Sequence, residues 1–384
     1  MKQSVTGMLI LPSGIGHRQK GTGEQMKYQY WLANIPGVGS RTIGKLLKKA
    51  GSAQEIYFLR REQLEKAGGL SERQIEAICE RKKEWDLDEK LSELHSRGIT
   101  FLSFEMEAYP DQLKNISDPP YSLYIKGRMP DFQKKRAAIV GARMCSEYGK
   151  YMAEKLGEAL SEHGVEVISG LAGGVDSHGH IGALRGKEAT YAVLGCGVDV
   201  CYPQYNRKLY GEILESGGIL SEYPPDTAPL ARLFPARNRI ISALSDMVII
   251  VEAKERSGSL ITADYALEQG KDIYAVPGRV TDALSQGCNN LIKQGAGIIN
   301  NVEDFLKDQK ICMGMETKQE NFNKLLLEKD ESLVYACLSL RPKSLEEIIR
   351  QTGYGMPQIA DILQRLIQKE FVTETFKNYY IRKI

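Results

Sequence analysis

The apolar positions of this chain change period several times, and each change predicts a boundary. Residues 1–25 are rich in Gly, Ser, Gln and Thr with no hydrophobic repeat, which predicts a disordered leader and makes Met26 an alternative start. From 26 to 95 the apolar residues fall at helical spacing, as in Ile43, Leu46 and Leu47 behind Ser40, a residue type that favours a helix N-cap. Between Arg136 and Asn300 the pattern becomes short, nearly continuous apolar runs at 137–140, 165–168, 191–194, 218–220, 247–251 and 273–276, with helical stretches between them. Such runs predict parallel strands covered on both faces. The prolines of the 99–130 connector predict extended and turn geometry at a sheet margin. Residues 307–324 are polar enough for a linker. Helical spacing returns at 333–340, 345–352 and 357–369, and two short strands are predicted at 371–375 and 379–381.

This succession predicts an α/β protein. An extended Rossmann-like domain with a mostly parallel sheet occupies 96–306. It is flanked by a helix-hairpin-helix (SAM-like) domain at 26–95 and a winged helix at 325–384.

Composition narrows the function classes. With 384 residues, 42% hydrophobic and 26% charged, the chain reads as globular with more than one domain. A net charge of +2 means that a nucleic-acid role must rest on local basic patches. The seven cysteines are an odd number, and the closest pair, Cys196 and Cys201, lacks zinc or redox spacing, which fits a reduced cytoplasm. No run of 18 apolar residues predicts a membrane span, and Met8-Leu9-Ile10-Leu11 is too short for a signal sequence.

Candidate chemistry collects at the carboxyl ends of the predicted strands, where open α/β sheets bind ligands. The stretch SGLAGGVDSHGH, 169–180, joins a strand to a helix through Ser169, Gly170, Gly173 and Gly174. Glycines let backbone approach a ligand, and a helix start favours an anion, so this is a phosphate cradle or a tight structural turn. Its spacing matches neither a dinucleotide fingerprint nor a Walker loop. Arg143 follows the first strand and either forks onto a phosphate, stacks on a base or pairs with Glu147. Phe234, Arg237, Asn238 and Arg239 combine a stacking ring with two cations, and the alternative is a helix start with Phe234 in the core. Ser257, Gly258 and Ser259 enter another helix, where Ser259 or Thr262 caps it or meets phosphate. In the first domain, Gly37 and Gly39 form a hairpin turn beside Arg41 and Lys45, with a degenerate second copy at 68–71. Such a hairpin makes accessory contacts to a nucleic-acid backbone or serves as a small packed accessory domain. His178 and His180 have no third ligand at metal spacing, so no metal is expected.

These segments together resemble the DNA-processing protein A (DprA, also Smf) family. The matching stretches are GARMCSEYG (141–149), SGLAGGVDSHGHIGAL (169–184), VLGCGVDVCYPQYN (193–206), FPARNRIISALSD (234–246), VEAKERSGSLITADYALEQG (251–270), and YAVPG with SQGCNNLIKQGA (274–296). The resemblance implies single-stranded DNA held in a basic pocket of an extended Rossmann fold, dimerisation through that domain, and loading of the RecA recombinase, with single-strand-binding protein as a further partner. It implies no catalysis and no cofactor. Ser177-His178-Gly179-His180 departs slightly from the family's single His after an Ala.

Two other readings stand beside this one. A phosphoribohydrolase-like enzyme would use Asp176 or Glu252 as its acid, yet SGSLITA stands where its P-G-G-x-G-T segment would be. A structural or protein-docking module fits the balanced charge of the terminal domains, with 13 basic and 11 acidic residues over 26–95.

Overall fold

The structure, a computed structural model, describes residues 22–311 and 327–383. In chain order, helices α1 (Thr22–Ala33), α2 (Ser40–Ala50), α3 (Ala53–Phe58), α4 (Arg61–Ala67), α5 (Glu72–Glu84) and α6 (Leu87–Ser96) come first. Then follow β1 (Ile99–Ser103), α7 (Asp111–Lys114), β2 (Ser122–Gly127), β3 (Lys135–Val140), α8 (Glu147–Glu162), β4 (Val165–Ser169), α9 (Val175–Arg185) and β5 (Thr190–Val193). Next are α10 (Arg207–Ser216), β6 (Gly218–Ser221), α11 (Leu233–Leu244), β7 (Met247–Ile250), α12 (Gly258–Glu268), β8 (Asp272–Ala275), α13 (Gln286–Lys293), β9 (Gly297–Ile298) and α14 (Val302–Asp308). The C-terminal segment holds α15 (Lys329–Cys337), β10 (Lys343–Ser344), α16 (Leu345–Thr352), α17 (Met356–Gln368), β11 (Val372–Phe376) and β12 (Tyr379–Arg382).

The chain forms two compact units. The first joins residues up to 131 with 191–244, and its strands run β1-β2-β6-β5. β2 pairs antiparallel with both β1 and β6, whereas β5 and β6 are parallel. The proline-rich connector thus supplies the sheet margin that its sequence predicts, and the pairing there is antiparallel. Tyr30 of α1 packs its ring on Phe101 of β1 and Tyr124 of β2 at centroid distances of 5.3 and 6.2 Å, which seats the helical segment on these strands. Arg97, just past α6, forks onto Asp226 at 2.7 and 2.8 Å and also bonds Asp199. Gly37, at φ 74°, makes the turn between α1 and α2, and its carbonyl accepts from Gln74 of α5 at 3.0 Å, which ties the turn to that helix. Ser40, expected as a helix cap, is the first residue of α2 behind the cap Gly39. Its hydroxyl instead accepts from the Tyr121 amide at 3.0 Å.

The second unit joins 132–190 with the residues from 245 onward, and its strands β4-β3-β7-β8-β9 are all parallel. All six apolar runs of the α/β region are strands, so the α/β class and the mostly parallel arrangement are as expected. The core of this unit gathers Ile139, Leu156, Val167, Ile249 and Phe305, all buried. Burial of Phe305 and Leu306 carries α14 to Asp308, past the start of the predicted linker, of which 312–324 lies outside the described residues. At the other end, α1 begins at Thr22, within the predicted leader, whose residues 1–21 also lie outside. In the C-terminal segment α15 starts at Lys329 rather than at 333, because Glu328 and Glu331 form a capping box there.

Helices α8 and α9 meet through glycine. A Cβ on Gly157 would sit 2.4 Å from the Gly179 carbonyl oxygen, and one on Gly182 would sit 2.1 Å from that of Glu154. Across the same contact Glu154 meets His178 Nδ1 at 2.6 Å and Arg185 at 2.7 Å. Burial alone would raise the Glu154 carboxyl, but these partners outweigh it and hold the group below its ordinary 4.5.

The glycines and the Glu154 carboxyl give testable outcomes. Gly182→Ala, which presses a methyl onto fixed backbone, should destabilise by about 1–3 kcal/mol or more in urea denaturation. Gly211→Ala, inside α10 with nothing within 4 Å of the new Cβ, should stabilise by about 0.5–1 kcal/mol. A carboxyl lowered in the folded state stabilises above its unfolded pKa, and that contribution is lost as pH falls through the folded value. Melting curves taken through the range below 4.5 should therefore fall less steeply in Glu154→Gln than in the wild type, and equal slopes would remove Glu154 from the account.

Candidate functional site

The predicted residues divide between the two units, and each group has its own geometry. In the second unit Ser169 ends β4 and is buried; its Oγ donates to the Ile139 carbonyl at 2.6 Å, tying β4 to β3. The amide of Gly170 donates to the Asp176 carboxylate at 3.2 Å, folding the loop back on α9. Gly174 has φ 75°, and a Cβ there would lie 2.3 Å from the Ala142 oxygen and 2.5 Å from that of Arg143. Glycine is required here twice over, for conformation and for the close approach of the two loops. The Val175 amide donates to Ala142 O at 3.2 Å, and that of Ser177 to Ala172 O at the same distance. Gly173 is buried in the same turn. The expected phosphate donors Ser169 and Gly170 thus shape the loop from within the protein, whereas Arg143 is exposed at its rim. Glu147 pairs with Lys150 at 2.6 Å.

The acids that an enzyme would need at this edge are committed. Glu252, buried beyond β7, accepts from the Ser146 amide at 2.8 Å and from the Ser146 hydroxyl at 2.5 Å. It thereby occupies the N-terminus of α8, where the helix dipole favours a carboxylate. Gly149 makes room, since a Cβ there would be 2.3 Å from Glu252 Oε2. Ser257 is the cap of α12, accepting from the Ser259 amide at 3.4 Å, with Gly258 and Ser259 opening the helix. Ser259 and Thr262, the expected caps, are buried inside it. His180 contacts Thr190 Oγ1 at 2.7 Å. Among the described residues no cluster of His, Cys, Asp and Glu could hold a metal ion.

In the first unit Phe234 lies against Gly195, where a Cβ would come within 2.9 Å of its ring. Its other neighbour is Tyr202, with ring centroids 5.5 Å apart and planes 32° from parallel. The two arginines of this helix differ from expectation, because both point inward. Arg239 is buried and forks onto Glu222, at the end of β6, at 2.8 and 2.6 Å, while its Nε donates to the Asp118 carbonyl at 2.8 Å. Burial would lower its pKa, but Glu222 more than offsets this and keeps the guanidinium charged. Arg237 is buried too and donates to the Val193 carbonyl at the end of β5. Asn238 between them is half-buried. Helical period puts Arg237 on one face with Ile240, Ile241 and Leu244, while from Arg239 to Leu244 every residue of α11 is buried, so both arginines must find acceptors. On the hairpin segment Arg41 and Lys45 are exposed, and Arg41 bonds Asp118 at 2.9 Å. Glu222 and Asp118 are partners of these arginines that the sequence does not assign. The available signal was an acid directly after a strand, at Ser221-Glu222.

Residues 100–310 match the family described as DNA recombination-mediator protein A. The chain is 43% identical over 210 residues to the DNA processing protein DprA of Streptococcus pneumoniae, covering 54% of this chain and 74% of that protein. It is 32% identical over 380 residues to the protein Smf of Synechocystis, covering 89% and 95%. Among solved structures, the S. pneumoniae DprA crystal structure aligns at TM-score 0.65 with 36% identity, over 73% of this chain and 97% of that one. The Helicobacter pylori DNA processing protein A aligns at 0.50 with 34% identity, over 55% and 95%, and was solved for its single-stranded DNA binding mode.

The contrast between buried and exposed arginines has a measurable consequence. Arg239→Ala leaves Glu222 buried without its partner and should cost about 3–5 kcal/mol in denaturant unfolding. Arg143→Ala should stay within about 0.5 kcal/mol of wild type.

Proposed function

Because the chain belongs to the DNA recombination-mediator protein A family, we propose that it binds single-stranded DNA without catalysis and loads RecA onto the strand during DNA uptake. The observation that carries this reading is the rim of the second unit. There Arg143 is exposed beside the Gly174 loop, while Glu252 and Asp176 are already bonded inside the protein. An edge with an exposed arginine and its acids bonded inside the protein suits a phosphate backbone better than hydrolysis, which needs an acid within reach of substrate.

The proposed contacts in the second unit are Arg143, the backbone at Gly173 and Gly174, and the helix start at Ser257 to Ser259. In the first unit they are Phe234 and Asn238, with Gly37, Gly39, Arg41 and Lys45 as accessory contacts. Arg237 and Arg239 act as braces that hold Phe234 in place. Contacts of this kind position a backbone and do not read sequence. The working form is a homodimer through the α/β domain, in the cytoplasm, with single-strand-binding protein as a further partner. No described helix is long and apolar enough to cross a membrane.

The test is a fluorescence-anisotropy titration against a single-stranded oligonucleotide at several salt concentrations. Affinity should fall with a log–log slope of about −0.7 per phosphate neutralised. Arg143→Ala should weaken binding by about 1–3 kcal/mol with its melting temperature unchanged. A salt-independent Kd, or release of free base from a nucleotide, would overturn the reading.

A further inference from the structure

The reading above leaves unexplained a set of exposed rings in the first unit, after β5. Tyr205 is 76% exposed and Tyr202 40% exposed, three residues apart around the turn Gln204–Asn206. Exposed rings this large are ordinarily buried for their apolar area, and here they stand next to cations. Residues 202–208 and 227–239, joined by the ring pair of Tyr202 and Phe234, contain five basic residues and no acidic one. Arg237 and Arg239 of these face inward, which leaves Arg207, Lys208 and Arg232 exposed. Lys208 reaches Glu212 at 3.6 Å but is 90% exposed, so that pair holds it weakly. The acids on the adjoining loops, Asp199 and Asp226, are both drawn to Arg97.

Rings with a cationic border suit a single strand, since every base has a π-face and every linkage a negative charge, and the nearby acids Glu212, Asp199 and Asp226 are each drawn to a cation of their own. We propose that Tyr202 and Tyr205 extend Phe234 into a base-stacking platform for single-stranded nucleic acid, with Arg207, Lys208 and Arg232 taking the adjoining phosphates. The proposal rests on the single-strand reading above and adds to it the residues that distinguish a strand with bases from a bare backbone. Gly195 belongs to the same device, because only a residue without a side chain lets the Phe234 ring settle on the strand end.

The experiment compares a thymidine oligonucleotide with an abasic one of equal length and charge. Wild type should bind the base-bearing strand more tightly. Tyr205→Ala, at a position too exposed to disturb folding, should lose about 5- to 100-fold of affinity for that strand and nothing for the abasic one. Tyr205→Trp should retain the preference, and Tyr202→Ala should behave as Tyr205→Ala does. If wild type binds both strands equally and Tyr205→Ala changes neither affinity, the platform is wrong while the backbone reading stands. A Tyr205→Ala variant that binds both strands as wild type does but changes its sedimentation behaviour would show a protein contact in place of the platform. If wild type binds neither strand, the single-strand reading fails and the platform with it.

Discussion

No side chain fits between the loop after β4 and the loop after β3, and the second unit depends on that fact. Gly174 brings backbone within contact distance of backbone at Ala142 and Arg143. Gly141 has the same need, since a Cβ there would lie 2.7 Å from the Val175 side chain and 2.9 Å from the Glu252 carbonyl. Three strand ends are thus drawn together by the absence of atoms. The glycines at 157 and 182 continue the arrangement by letting α9 lie close on α8, and Gly179 lets it lie on Ile139 of β3. A phosphate-cradle sequence and a close-packing sequence look alike because both are demands for backbone without Cβ.

That ambiguity marks the limit of what the chain discloses in one dimension. The strands were legible because short apolar runs covered on both faces have few other ways to bury themselves. The helical ends were legible from spacing, and their first residues less so: Ser40 and Ser259 look like caps, yet Gly39 and Ser257 hold those positions. The arginines of FPARNR were the hardest to read. An arginine in a motif suggests an exposed cation, and its burial depends on acceptors that folding brings from far along the chain. Glu222 is 17 residues away and Asp118 is 121. Neither distance leaves a periodic trace.

The charged side chains are accordingly of two kinds. Some charged groups, such as Glu252 and Arg239, spend their charge inside the protein to fix the ends of helices and strands. Others, such as Arg143 and Lys45, keep theirs at the surface. Only burial and partner geometry separate the two, and neither is written in the spacing of the charges along the chain.

Asp118 accepts from Arg41 with its carboxylate and from Arg239 with its main-chain carbonyl, and its second carboxylate oxygen stands 4.0 Å from Arg239. It is therefore a shared counter-ion between a solvated cation on the hairpin helix and an interior one on α11. Loss of Arg41 as a partner would leave that carboxylate to Arg239 alone, so a change of charge on the hairpin helix alters the field felt on α11.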